Sequence, residues 1–524
     1  MNTKLNKNIS YVLIILVLLT LTKIDFRFDE INPGSFVDDA EYYYHVQTIA
    51  IDRDLDYSNQ MPDTPYRNLN VEDKNKVLPV HSIGVGLFAS PFMFISNFLS
   101  SIFNIDSLIT FNYFIYSFVP IFYLFISFLL INKILQKNDI PINNLLLPIV
   151  IAGSGVSYFA FERFSMSHSY EFFGTTLCIY LCDLTYRTKN SSVRKLLIFL
   201  LPITMFIVLT IRWSNYFLIL IPFFVNVFFP KRKVNLYVKF HFIFGFIVGL
   251  GLFLLHTKYL YGIYTINPSD IFLIVENRIS DDYFRFFDLG RIQENILFIF
   301  KTFFIINFSE EFGFAYFSPI LFFGNMLLFY YIFKKEFIKF LLVGFILFFP
   351  FFSTLVLNNP GYSYGYRYFY STIPIFIIIY FLKFNKFNKL TFLILLFSLI
   401  SLIFQVFFES TPFVVLSTEY VTNSFGLYTK YVNPTILSGM FKSFLIMDSY
   451  LNVVFTSFIG VLIIKIISIF TDPILLVSKF READDKIINL VDMSSEFSWL
   501  MYFIVLIGYF LIARKFLRTS KQII

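Results

Sequence analysis

Four polar clusters in this chain hold residue types that do chemistry. The first runs Gly34-Ser35-Phe36-Val37-Asp38-Asp39-Ala40-Glu41-Tyr42-Tyr43-Tyr44-His45. Gly34 and Ser35 suit a turn and a helix cap. If a helix follows, Asp38, Glu41, Tyr42 and His45 share one face, because their spacing is three or four residues. Adjacent carboxylates repel, which raises the pKa of one of them and suits a general base. The second cluster is Leu78-Pro79-Val80-His81-Ser82-Ile83-Gly84-Val85-Gly86, whose glycines allow close backbone approach. In the third, Phe161 to Glu171, His168 and Glu171 have helical spacing and suit a shared divalent ion, together with Asp38 or Asp39. The fourth, Asn358 to Phe369, sets Arg367 among tyrosines and glycines, and its guanidinium fork matches phosphate oxygens. Arg212, in Arg212-Trp213-Ser214-Asn215, is a similar isolated cation.

Each cluster also has a plainer reading. The first suits an interfacial helix with a solvated acidic face, and the second a loop leading into a helix. The third suits interfacial anchoring, and the two arginines suit snorkelling to lipid headgroups.

The elements that must position these groups are membrane helices. The chain has 524 residues, of which 57% are hydrophobic and 15% charged, with a mean hydropathy of +0.69. Soluble domains carry about 25% charged residues. Charge-poor runs long enough to span a bilayer recur along the whole chain. These features exclude a soluble enzyme, a disordered chain and a disulfide scaffold. The expected fold is all-α, a polytopic transmembrane protein of about 12–13 spans, divided into 1–410 and a C-terminal part, 411–524. The 76 phenylalanines serve packing and lipid contact. Cys178 and Cys182, one helical turn apart in an apolar run, are packing residues. The net charge of +7 does not point to nucleic acid, because the basic residues sit in short loops between spans.

Charge placement orients the chain. The run from Ile9 to Ile24 reads as an uncleaved first span with its basic end in the cytoplasm. The stretch 25–82 holds twelve acidic and five basic residues and suits the outer side. The run 83–99 has the length to cross, yet crossing would put Lys133, Lys137 and every later basic loop outside. At the outer interface instead, it lets spans near 107–132, 143–161, 169–184, 195–211, 214–229, 235–256, 313–333, 337–357, 371–383, 390–408 and 449–470 alternate, with Arg187 to Lys195, Lys231 to Lys233, Lys334 to Lys339 and Lys383 to Lys389 inside. An amphipathic segment, 472–495, and a last span, 497–513, follow; parity would leave Arg514, Lys515 and Arg518 outside. No internal repeat supports a repeat-built transporter. All four polar clusters then fall on one face of the membrane.

The ordered set resembles the GT-C superfamily of polytopic glycosyltransferases, which includes protein O-mannosyltransferases and lipid A aminoarabinose transferases. Asp38-Asp39-Ala40-Glu41-Tyr42-Tyr43 is similar to its acidic pair after the first span, although many members have Asp-Glu there. Ile51 to Asn59 looks like the polar continuation, Pro79 to Pro91 like the second juxtamembrane helix, and Ser363-Tyr364-Gly365-Tyr366-Arg367-Tyr368 like a later Gly-x-Arg-Tyr motif. The likeness covers residues 1 to about 383 in order.

The resemblance implies a bacterial inner-membrane enzyme that moves a sugar from a polyprenyl-phosphate carrier to an acceptor hydroxyl on the extracytoplasmic face, with inversion. The acceptor would be a glycan, lipid or protein. Asp38 would be the general base, with Asp39 beside it. Arg367 and Arg212 would stabilise the leaving phosphate. His81, Tyr42 and Tyr364 would contact the donor. Asp39, Glu41, His168 and Glu171 would orient the acceptor or hold a divalent ion; metal dependence varies across the superfamily. The alternative from another class is a lipid-linked sugar flippase or other transporter, which would place ionisable groups near mid-span. A polymerase or ligase with pyrophosphate donors is disfavoured by the early acidic pair.

Overall fold

The computed structural model describes residues 37–61, 79, 81–103, 108–140, 146–161, 163–229, 235–267, 270–271, 292–309, 313–357, 365–383 and 389–407, with isolated positions near the C-terminus. The expected first span, the calls on 449–470, 472–495 and 497–513, and Tyr364 lie outside the described residues. Among the described residues the chain is helical, with no strand. Five helices are long and apolar enough to cross a membrane: Gly84–Ile102, Ile115–Lys137, Ser191–Leu209, Phe240–Tyr261 and Phe337–Thr354. Their apolar residues point outward as well as inward, as in Phe244, Ile247, Leu252 and Leu255, which suits a lipid surround.

The elements are α1 (Val37–Gln47), α2 (Gly84–Phe103), α3 (Leu108–Lys137), α4 (Leu146–Ala152), α5 (Val156–Phe161), α6 (His168–Arg187), α7 (Ser191–Leu209), a 3₁₀ segment (Trp213–Leu220), α8 (Ile221–Phe228), α9 (Phe240–Tyr261), α10 (Ile292–Phe308), α11 (Phe314–Phe317), α12 (Pro319–Phe333), α13 (Phe337–Leu357), a second 3₁₀ segment (Arg367–Thr372), α14 (Ile373–Lys383) and α15 (Lys389–Phe407). Three expected spans are broken. The span near 143–161 splits into α4 and α5 at Gly153-Ser154-Gly155, and Gly155 adopts a φ of 85°. Side chains from distant helices satisfy the backbone freed by the break. Ser318 donates to the Ser154 carbonyl at 2.5 Å and Gln405 to the Ala152 carbonyl at 3.1 Å. The spans near 214–229 and 371–383 each begin as a 3₁₀ segment, and α10 is a helix that the hydropathy reading did not foresee.

The packing registers sort the helix ends. Tyr123 of α3 packs on Tyr170 and Phe173 of α6, with ring centroids 5.5 and 4.5 Å apart, and Lys133 lies over the Tyr180 ring, so the two helices run parallel. Helix α7 returns beside α6, where Gly174 sits against Val208. Helix α9 runs parallel to α7, with Gly245 against Phe199 and Gly249 against Ile203. At one end of the bundle lie Lys133, Lys137 and Arg187, and Lys334, Lys339 and Lys383 gather around Glu336 where α12 and α14 finish. At the other end lie the start of α6, the end of α7 and the turn before α14.

Helix α2 pairs with the first half of α3. Tyr123 donates to the Phe88 carbonyl at 2.7 Å, and Ser96 and Asn97 bond Asn112 at 2.6 and 2.7 Å. That half of α3 continues beyond the level at which α6 begins, so α2 runs away from the end of the bundle opposite the lysines. Its exposed side is apolar: Leu87, Phe94, Ile95, Phe98 and Ile102.

The start of α2 is pinned to the end of α7. The Gly84 N–H donates to the Thr210 carbonyl at 2.8 Å, and a Cβ at Gly84 would stand 2.3 Å from the Ile211 nitrogen. The neighbouring atoms are backbone and cannot step aside. Gly84→Ala is therefore expected to destabilise the protein by about 1–3 kcal/mol, the usual cost of overpacking. Gly251→Ala, whose added methyl meets nothing within 4 Å, is expected to be neutral or slightly stabilising. Thermal unfolding of both variants in detergent checks the contrast.

Candidate active site

Residues 37–47 form a helix, so the spacing of Asp38, Glu41, Tyr42 and His45 does place them along one side of α1. Asp38 and Asp39 stand in its first turn, and their side chains lie outside the described residues. Glu41 is buried, and its Oε2 accepts from the backbone N–H of His81 at 2.9 Å and meets His81 Nδ1 at 2.6 Å. The Tyr42 ring, also buried, lies 5.0 Å from the imidazole of His81. His45 holds the same segment from the other side. Its Nε2–H donates to the His81 carbonyl at 2.8 Å, and its Nδ1 accepts from the Tyr57 hydroxyl at 2.7 Å. Burial pushes the pKa of His45 down to about 3, with the neighbouring His256 adding to the effect. His45 is therefore a neutral structural tie. The first two sequence clusters thus become one unit, with His81 clamped through its backbone and its ring.

The third and fourth clusters also meet. Arg212, extended at φ −160° and ψ 136°, leads from α7 into the 3₁₀ segment. Its Nη1 lies 3.1 Å from His168 Nδ1 and 3.3 Å from Glu171 Oε1. The Ser167 hydroxyl donates to the same Glu171 oxygen at 2.6 Å. The Arg212 guanidinium sits 4.8 Å from the centroid of the Tyr368 ring, and the Arg367 guanidinium lies 5.7 Å from that ring. Arg367 is 7% exposed, with Nη1 4.0 Å from the Met166 sulfur. A turn that requires glycine sets its direction. Gly365 has a φ of 66°, and a Cβ there would meet the Tyr370 hydroxyl at 2.6 Å; a Cβ at Gly155 would stand 2.5 Å from the same hydroxyl.

The two units share one end of the bundle. Gly84, three residues after His81, is bonded to Thr210, two residues before Arg212. A second route runs through aromatic rings: Tyr43 packs on Tyr116 at 4.9 Å, and Tyr116 on Phe164 at 5.8 Å. This end is opposite the lysine-rich one.

The expected metal set is corrected. Among the described residues no three His, Cys, Asp or Glu side chains gather to hold an ion. Glu41 bonds His81, whereas His168 and Glu171 contact each other at 3.4 Å and both meet the Arg212 guanidinium. His168 is wholly buried with its ring 4.4 Å from that of Phe159. Cys178 and Cys182 are free and buried, as their placement implied. Sequence reasoning gave no role to Tyr57, or to Tyr368 beyond its place in the Gly-x-Arg-Tyr motif. Tyr57 lies in an acidic stretch and Tyr368 in a run of tyrosines, and neither carries a local signal of its partner.

No protein family, curated protein or solved structure matches this chain.

Proposed function

We propose that this chain is a membrane glycosyltransferase that moves a sugar from a polyprenyl-phosphate carrier to an acceptor hydroxyl, with Asp38 as general base. The convergence of two guanidiniums, Arg212 and Arg367, on the single Tyr368 ring supports this reading. It supplies a planar cationic surface for a phosphate at the end of the bundle that also carries α1 and His81. In this reading the lysine-rich end is cytoplasmic by the positive-inside rule, and the arginine end faces the outside of a bacterial inner membrane. Helix α2 then lies at the outer interface, its apolar side toward the lipid that holds the carrier's tail.

The reaction balances simply. The acceptor oxygen forms its bond to the anomeric carbon as its proton passes to the Asp38 carboxylate. The bond from that carbon to the phosphate oxygen breaks on the opposite face, and the phosphate keeps the electron pair. Arg367 and Arg212 stabilise the charge that accumulates there. Glu171, His168 and Ser167 position Arg212, and Glu41 positions His81.

A flippase is the rival reading. The broken helix α4–α5 is the feature that would favour it, yet Ser318 and Gln405 already satisfy the carbonyls opened there. The two readings separate in one assay. Purified protein, given a radiolabelled polyprenyl-phosphate sugar and a mixed pool of envelope glycans, is expected to release unglycosylated polyprenyl phosphate. Recovery of the intact donor with movement between leaflets would establish transport instead.

A further inference from the structure

Beside Arg212 lie two buried polar side chains whose hydrogen-bonding capacity is unspent. Asn215 is wholly buried, and neither Oδ1 nor Nδ2 has a hydrogen-bond partner. The Asn215 N–H donates to the Arg212 carbonyl at 3.2 Å, which folds the chain so that the two residues are neighbours. Glu171 is also wholly buried. Its Oε1 serves Ser167 and Arg212, and its Oε2 has no partner. The hydroxyl of Ser214, next to Asn215, is unpartnered too. Buried amides and carboxylates are costly when unsatisfied, and native proteins seldom retain them without a use.

The donor and acceptor types narrow what would satisfy this group. A second phosphate does not fit, because Glu171 presents a carboxylate oxygen that repels it. An ammonium would suit Glu171 but faces Arg212 and offers no acceptor to Asn215 Nδ2. Adjacent hydroxyls meet every demand: one donates to Glu171 Oε2, and another both accepts from and donates to the Asn215 amide. Arg212, the partner of Glu171, reaches the surface, with 14% of its side chain exposed. It contacts His168 and Glu171 through a single nitrogen, Nη1, at 3.1–3.4 Å, and not through a bidentate fork. Turning that guanidinium toward a phosphate would release Glu171 Oε1 from its charged partner.

We infer that Glu171 and Asn215, the two unsatisfied side chains beside Arg212, form a sugar subsite that reads two neighbouring ring hydroxyls of the donor as Arg212 turns to the carrier phosphate. This rests on the glycosyltransferase reading and adds to it the residues that choose the sugar.

Binding measurements on the full chain in nanodiscs test it. The probes are undecaprenyl phosphate itself and undecaprenyl phosphates carrying glucose, mannose, galactose or arabinose. Wild-type protein is expected to bind at least one sugar-bearing probe about tenfold more tightly than the bare carrier, the net gain of about two ordinary hydrogen bonds. Asn215→Leu is expected to erase that increment, to leave affinity for the bare carrier unchanged, and to keep or raise the melting temperature, since a costly buried amide is gone. Asn215→Ser serves as the second variant should leucine disturb packing. The subsite is overturned if both variants keep the increment, if they weaken bare and sugar-bearing carriers equally, or if wild type gains nothing from any sugar. Wild type that binds bare carrier no better than undecaprenol sinks the glycosyltransferase reading itself, and the subsite with it.

Discussion

Arg367→Ala is expected to lower turnover of a polyprenyl-phosphate sugar by about a hundredfold to a thousandfold, the usual cost of removing a pre-aimed donor to developing negative charge. The residue is almost fully buried, at 7% exposure, on a turn that Gly365 shapes with its positive φ. Its place over the Tyr368 ring gives the planar guanidinium a stacking surface. Arg367→Lys is expected to recover little of the loss, because an ammonium keeps the charge but neither stacks as a plane nor offers a fork to two phosphate oxygens. Steady-state kinetics, with carrier binding measured in parallel, check this. The reading predicts the larger loss in kcat, since charge grows on the phosphate only as the bond breaks. Arg367→Lys with wild-type kinetics would remove this residue from phosphate recognition.

Asp38→Asn should abolish transfer, with a fall of about a thousandfold, typical of losing a positioned general base. Asparagine keeps the shape and polarity of the side chain, so helix α1 and its ties through Glu41, His45 and Tyr43 should persist. Carrier binding should persist too, because the proposed reading assigns the phosphate to the arginines. The diagnostic result is a variant that melts like wild type and binds carrier but does not release it. Asp39→Asn run beside it separates the two carboxylates: retained activity there with loss at Asp38 assigns the base, whereas the reverse moves the proton to Asp39.

Much of the bundle was legible in the sequence because burial in lipid needs only an unbroken apolar run. Residues 108–137, 191–209, 240–261 and 337–357 are helices near the expected spans. The basic residues at one end were legible for a similar reason, since a lysine at a span end needs water, whatever its neighbours are. The breaks were harder to read. Gly153-Ser154-Gly155 interrupts an apolar run that hydropathy treats as continuous, and the break is tolerable only because Ser318 and Gln405, far along the chain, bond the freed carbonyls.

What the sequence by itself determined is an all-helical membrane protein whose unusual polar residues sit at helix ends, with acids, imidazoles and isolated arginines available for chemistry. Only the tertiary structure decided which of them meet. The carboxylates of Glu41 and Glu171 are chemically alike, yet one clamps His81 and the other holds Arg212, across separations of 40 and 41 residues. Arg212 reaches the imidazole of His168 across 44 residues. Local spacing suggested a metal site from His168 and Glu171, but a guanidinium from the link after α7 contacts both of them. A charge accepts any opposite partner within reach, so its type restricts the chemistry, whereas the register of packed helices selects the partner.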